Sequence, residues 1–191
     1  AALGGYRAYL LIYEWWSKVI DVYLLRKRGE AQHRLLDWMR RAENKHGRVI
    51  GHVHIDKGEM DATKVAEFLA APERMGQLHL NQRGAHEHNP FAEIKIKIVN
   101  ETERAIRHTG GARNYYWPVA VPHTVSIHNC CPTWRDLQKG RYVDGKRVRP
   151  LAPVEKWEKF TDPEGFQGLT RNLQIPLFAE VIGHNPSEER R

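Results

Sequence analysis

The sequence predicts an α+β fold with an N-terminal pair of helices, a small mixed or antiparallel sheet carrying two further helices, and an extended, proline-rich C-terminal tail. Three observations support that reading. Apolar residues recur at helical spacing over 8–25 and 30–45, β-branched runs and an Asp144-Gly145 pair mark strands between residues 48 and 149, and Pro150, Pro153, Pro163, Pro176 and Pro186 punctuate the remainder. The expected organisation is an N-terminal helical segment over 1–47, an α+β core over 48–149 and a docking tail over 150–191. At 191 residues the chain suits one domain with extensions and is long enough to bury a core without staples.

Ala8 to Leu25 reads as a helix with a wide aromatic arc of Tyr9, Leu10, Ile12, Tyr13, Trp16, Val19, Ile20 and Tyr23, and with Arg7, Glu14, Ser17, Lys18 and Asp21 largely on the other face. The charges at Glu14, Lys18 and Asp21 argue against a membrane span, whereas the Trp and Tyr content and the following Arg26-Lys27-Arg28 suit contact with a membrane surface. Burial against protein is the plainer reading of the same face. A second helix runs from Glu30 to Lys45 and is closed by Gly47. Arg48 to Asp56 is a strand rich in β-branched residues, Lys57-Gly58 a turn, and Asp61 the N-cap of a short helix containing Val65, Phe68 and Leu69.

Gln77 to Asn81 is a short strand, and Gln82 to His88 a polar loop. Phe91 to Thr109 fits both periods, but Asn89 as N-cap, Pro90 in the first turn and Gly110-Gly111 as terminator favour a helix. Tyr115 to Val121 and Thr124 to Asn129 read as strands around Pro122-His123. Arg141 to Val143 and Lys146 to Val148 flank Asp144-Gly145, a type I′ hairpin signal. The apolar content of the tail (Trp157, Phe160, Phe166, Leu173, Ile175, Leu177 and Phe178) predicts that it docks on a partner or on its own domain.

With 41% hydrophobic and 28% charged residues the composition is that of a globular protein and excludes a disordered one. The net charge of +7 favours polyanionic partners: RNA, DNA, anionic lipid or an acidic protein surface. Cys130 and Cys131 are the only cysteines and are adjacent, which speaks against a secreted disulfide framework and for a reducing compartment such as the mitochondrial matrix. The chain begins Ala1-Ala2 without Met, as a processed product would after loss of a targeting peptide.

Eleven histidines are the most distinctive feature, among them His52-Val53-His54 and His86-Glu87-His88, with His79, His123 and His128 nearby and Cys130 two residues beyond His128. Alternate residues of a strand share a face, so His52 and His54 present two imidazoles side by side. This His-hydrophobic-His pattern resembles the metal motif of the HUH endonucleases, the rolling-circle initiators and relaxases. The resemblance implies an ion that polarises a scissile phosphate and a tyrosine that attacks it. The chain departs from that family in lacking a Tyr-x-x-Lys helix: Tyr115 and Tyr116 precede Trp117-Pro118, and Tyr142 has Lys146 four positions on. A composite zinc site is the second metal candidate, drawn from His52, His54, His86, His88, His128, Cys130 and Cys131, with His52, His54, His128 and Cys130 as the favoured set. Exposed polar positions on a strand, and cysteines ending a strand, account for the same residues without metal.

No P-loop, dinucleotide fingerprint or nucleophile elbow is present. The stretch from Trp134 to Phe160 holds eight basic residues against four acidic ones, with Trp134, Tyr142, Trp157 and Phe160 interspersed. Arg135, Lys139, Arg141, Lys146, Arg147 and Arg149 are the expected RNA contacts, since a basic hairpin lies along phosphates while aromatics stack on bases.

The leading expectation is a non-catalytic structural subunit of a large assembly. An organellar (mitochondrial) ribosomal protein fits best, contacting rRNA and binding other subunits through the N-terminal aromatic helix and the C-terminal tail. An accessory subunit of a respiratory-chain membrane complex, touching the membrane surface, is the second expectation. A metal-dependent enzyme acting on nucleic acid through the His-x-His site is the third. No small-molecule substrate and no cofactor other than zinc is implied.

Overall fold

Residues 8–25 form an antiparallel hairpin rather than a helix. Strand β1 (Ala8–Glu14) pairs with β2 (Ile20–Leu25), Ala8 lying opposite Leu25 and Tyr13 opposite Ile20. The helical expectation failed because all seven residues of β1 are buried. A strand covered on both faces loses the apolar–polar alternation and reads as an unbroken apolar run. The structure, a computed structural model, describes residues 2–56, 60–72, 74, 76–81, 90–158 and 176–183, with residues 56, 81, 90–92 and 176–183 as backbone.

The remaining elements are α1 (Ala31–His46), β3 (His52–Asp56), α2 (Thr63–Leu69), β4 (Gln77–Asn81), α3 (Pro90–Thr109), α4 (Trp117–Cys130), α5 (Trp134–Lys139), β5 (Arg141–Val143), β6 (Lys146–Val148), α6 (Pro153–Glu158) and β7 (Pro176–Gly183). The fold is α+β, as the sequence predicts. Helix α1 ends where Gly47 adopts the left-handed conformation at φ 61°, and α3 replaces the strand alternative over 91–109. The N-cap of α2 is Ala62 rather than Asp61, and Asp61, one residue further upstream, accepts from the Thr63 amide at 3.0 Å.

The two strands expected between Tyr115 and Asn129 are instead the single helix α4. Five of its six buried residues, Trp117, Ala120, Val121, Thr124 and Val125, fall at i, i+3, i+4, i+7 and i+8, and this spacing outweighs the β-branched composition and Pro122. Cys130 and Cys131 therefore end a helix, and both are exposed.

Five strands form one mixed sheet in the order β2-β1-β7-β3-β4. Strand β7 is antiparallel to β1 and parallel to β3, and β3 is parallel to β4. The region expected to be an extended tail thus supplies the central strand, and over 176–183 it docks on the chain's own sheet. The sheet draws strands from all three expected segments.

Helices cover both faces of the sheet. Leu10, Ile12, Val53 and Ile55 pack on one face with Leu35 and Met39 of α1 and Val65 and Leu69 of α2. Tyr9, Leu11, Tyr13 and Ile20 pack on the other with Val99 of α3 and Trp117, Val121 and Val125 of α4. This is a three-layer arrangement. The β5–β6 hairpin is a separate two-stranded sheet. Among the described residues no helix is long and apolar enough to cross a membrane, and the aromatic segment assigned to a membrane surface or a partner subunit lies instead within the sheet.

Candidate nucleic-acid interface and histidine cluster

Helix α5 and the β5–β6 hairpin carry the expected RNA contacts. Thr133 starts α5 by accepting from the Asp136 amide at 3.3 Å, and Gly140 ends it with a left-handed φ of 69°. The hairpin follows at once. Asp144 at φ 49° and Gly145 at φ 73° are both left-handed, as a type I′ turn requires. Gly140 also leaves room for Arg147: a Cβ there would stand 3.3 Å from Arg147 Nε, and Arg147 Nη2 donates to the Leu137 carbonyl at 3.5 Å. The guanidinium therefore ties the hairpin to α5.

Arg135, Lys139, Lys146, Arg147 and Arg149 are exposed and Arg141 is half-buried. Arg149 pairs with Glu155, whereas among the described residues no carboxylate lies at ion-pair distance from the other five. Trp134 and Tyr142 are 73% and 64% exposed, against the 2% of the core residue Trp117. Exposed aromatic rings beside unpaired cations form a surface suited to stacking on bases while phosphates are neutralised.

The histidines form a second constellation. His52 and His54 alternate on β3 with the core residues Val53 and Ile55, so both leave the α1–α2 core and stand on the opposite face. The β3–β4 register places His79 directly beside His54. The His54 and His79 rings stack with centroids 4.4 Å apart and 11° between planes, and His52 Nδ1 approaches His79 Nε2 at 3.1 Å. Burial first, then the neighbouring His79, pushes the His52 and His54 imidazoles below their ordinary range, so both are neutral at pH 7.

The structure brings His52 and His54 together with His79, a residue outside the favoured metal set. It does not bring them together with His128 and Cys130. His128 closes α4 over the same face but at the other edge of the sheet, its Nε2 3.2 Å from the Lys18 carbonyl, and the next residue, Asn129, bonds both the amide and the carbonyl of Ile20 in β2. Two strands, β1 and β7, separate β2 from β3, a gap of roughly 14 Å at ordinary strand spacing. Nearly parallel stacked rings cannot aim their lone pairs at one ion, and among the described residues no three ligand-type side chains form a group able to hold a metal. His86 and His88 lie outside the described residues.

A third feature is topological. Strands β7, β3 and β4 run parallel, and Asp56 and Asn81 are register partners at the carboxyl ends of β3 and β4. In open α/β sheets this edge is where ligands bind. The sequence matches no protein-family model and no curated protein.

Proposed function

We propose that this protein is a non-catalytic, RNA-contacting subunit of a larger assembly, with α5 and the β5–β6 hairpin laid along a phosphate backbone. The observation that carries this reading is the set of exposed Arg135, Lys139, Lys146 and Arg147 with half-buried Arg141, which have no carboxylate partner among the described residues and lie beside Trp134 and Tyr142. An organellar ribosome, and so a mitochondrial matrix setting, is the assembly that the positive charge and the free cysteines favour. The test is equilibrium binding of a single-stranded RNA as a function of salt. Replacing Lys146 and Arg147 by Gln is expected to lower the slope of log K against log salt by about 0.7 per lost phosphate contact. An unchanged slope would remove the hairpin from the interface.

One observation favours a second reading, a metal-dependent enzyme acting on nucleic acid. It is the placement of Asp56 and Asn81 at the carboxyl edge of the parallel strands, rather than the His-x-His pair. In open α/β sheets that edge is where ligands bind, and a divalent ion held against a phosphate is the ligand such chemistry needs. Incubating end-labelled RNA and DNA with the full chain and Mn²⁺ or Mg²⁺ separates the readings. Cleavage that disappears in Asp56→Asn would establish the enzyme, and intact substrate would leave the binding reading.

A further inference from the structure

At the β1–β2 turn two ammonium groups converge on one aromatic ring. Lys18 Nζ lies 3.7 Å from the Trp15 ring centroid and 5.9 Å from that of Tyr13, and Lys95 Nζ reaches from α3 to within 5.2 Å of the same Tyr13 ring. Lys18 is fixed in place by its backbone. Its φ is 68°, its amide donates to the Glu14 carbonyl at 3.0 Å, and its own carbonyl lies 3.2 Å from His128 Nε2.

Glu14 is the acid closest in sequence, but it is fully buried and its oxygens are committed to the turn. They accept from the Trp16 amide at 2.7 Å, from the Ser17 amide at 2.6 Å and from the Ser17 hydroxyl. Lys156 is held by Asp136 at 2.6 Å. Among the described residues, Lys18, Lys95 and Arg135 have no carboxylate at ion-pair distance. Burial lowers the Lys18 ammonium below its ordinary range, and Lys95, Lys156 and Arg135 lower it further against the opposing pull of Glu14. Burial alone lowers Lys95. Cations grouped in partly dry surroundings repel one another, and an arriving anion relieves that repulsion.

We propose that Lys18 and Lys95 form a phosphate-binding subsite floored by Tyr13 and Trp15. Its ligand is the phosphate group, carried by an RNA backbone or free in solution. The RNA source rests on the function proposed above; the phosphate chemistry does not.

The test follows the Trp15 indole N–H resonance of the full ¹⁵N-labelled chain as inorganic phosphate is added at constant ionic strength. Wild type is expected to give a saturable shift. Lys18→Asn, chosen because Asn tolerates the left-handed backbone, and Lys95→Gln are each expected to weaken it about tenfold while leaving other resonances in place. No saturable shift in wild type, or one that survives Lys18→Asn in a folded protein, overturns the subsite. Binding of single-stranded RNA then identifies the source. A salt slope lowered by about 0.7 in Lys18→Asn supports a backbone phosphate, and an unchanged slope beside an intact phosphate titration supports a free one. If the Lys146 and Arg147 variants leave RNA binding untouched while Lys18→Asn weakens it, the hairpin reading fails and the subsite stands.

Discussion

In the β1–β2 hairpin every residue of the first strand is buried, whereas in the β5–β6 hairpin the neighbouring residues Tyr142 and Val143 are both exposed. Successive residues of a strand point to opposite sides, so β1 is covered on both faces and β5 on neither. The turns differ as well. The first is held by a buried carboxylate that accepts from the Trp16 and Ser17 amides; the second depends on the conformational freedom of Asp144-Gly145. One hairpin spends its side chains on the fold, and the other leaves them free for a partner.

That contrast is easiest to break by mutation. The largest effect expected is in the first hairpin: Leu10→Ala or Ile12→Ala should each cost about 2–5 kcal/mol in chemical denaturation, because both side chains are fully buried. Tyr142→Ala is expected to change stability by less than about 0.5 kcal/mol while weakening RNA binding. A comparable loss of stability from Tyr142→Ala would mean that the second hairpin also belongs to the core.

Acidification comes next. His52 and His54 have imidazoles depressed by burial and by His79, so the unfolded chain takes up protons before the folded one does. Stability is therefore retained above the ordinary imidazole value of about 6.5 and lost as pH falls below it toward the depressed folded values. A melting temperature that declines between about pH 7.5 and 5.5, with a shallower decline in His54→Gln, is the expected result. Equal slopes in the two proteins would show that the stacked imidazoles do not govern the titration. The most local effect expected is from Gly145→Ala. Its strain at φ 73° should cost about 1 kcal/mol locally and show as faster amide exchange in β5 and β6, with global unfolding unchanged.

The two hairpins also show what was legible in the sequence. The second was read correctly because its signal is local: Asp144-Gly145 specifies the turn whatever lies around it. Helices α1 and α3 were legible for the same reason, through Gly47, Pro90 and Gly110-Gly111. The first hairpin was misread because a strand buried on both faces carries no alternation, and Tyr9 to Tyr13 satisfy a helical arc equally well. In α4 the β-branched residues and Pro122 concealed a five-residue helical stripe that begins at Trp117 and was present in the sequence throughout.

The candidate sites divide in the same way. The shared face of His52 and His54 and the basic run from Arg135 to Arg149 were readable from spacing. The approach of His79 depends on the β3–β4 register, and the meeting of Lys18 with Lys95 on the Tyr13 ring depends on how α3 crosses the sheet. Neither is encoded within a window of neighbouring residues.

The central position of β7 dictates an order of events during synthesis. When Glu158 has emerged from the ribosome, β1 and β2 can pair, and so can β3 and β4, but no strand yet joins the two halves of the sheet. Ala8 must wait for Gly183, and His52 for Pro176. Until then β1 and β3 each present a bare hydrogen-bonding edge, the kind of surface on which nascent chains pair with one another. The sheet closes late and over long sequence separations, which slows folding and gives chaperones a defined window in which to act. A chain cut just before Pro176 keeps α1 to α6 yet leaves both edges open, and it should partition into aggregates where the longer chain stays dispersed.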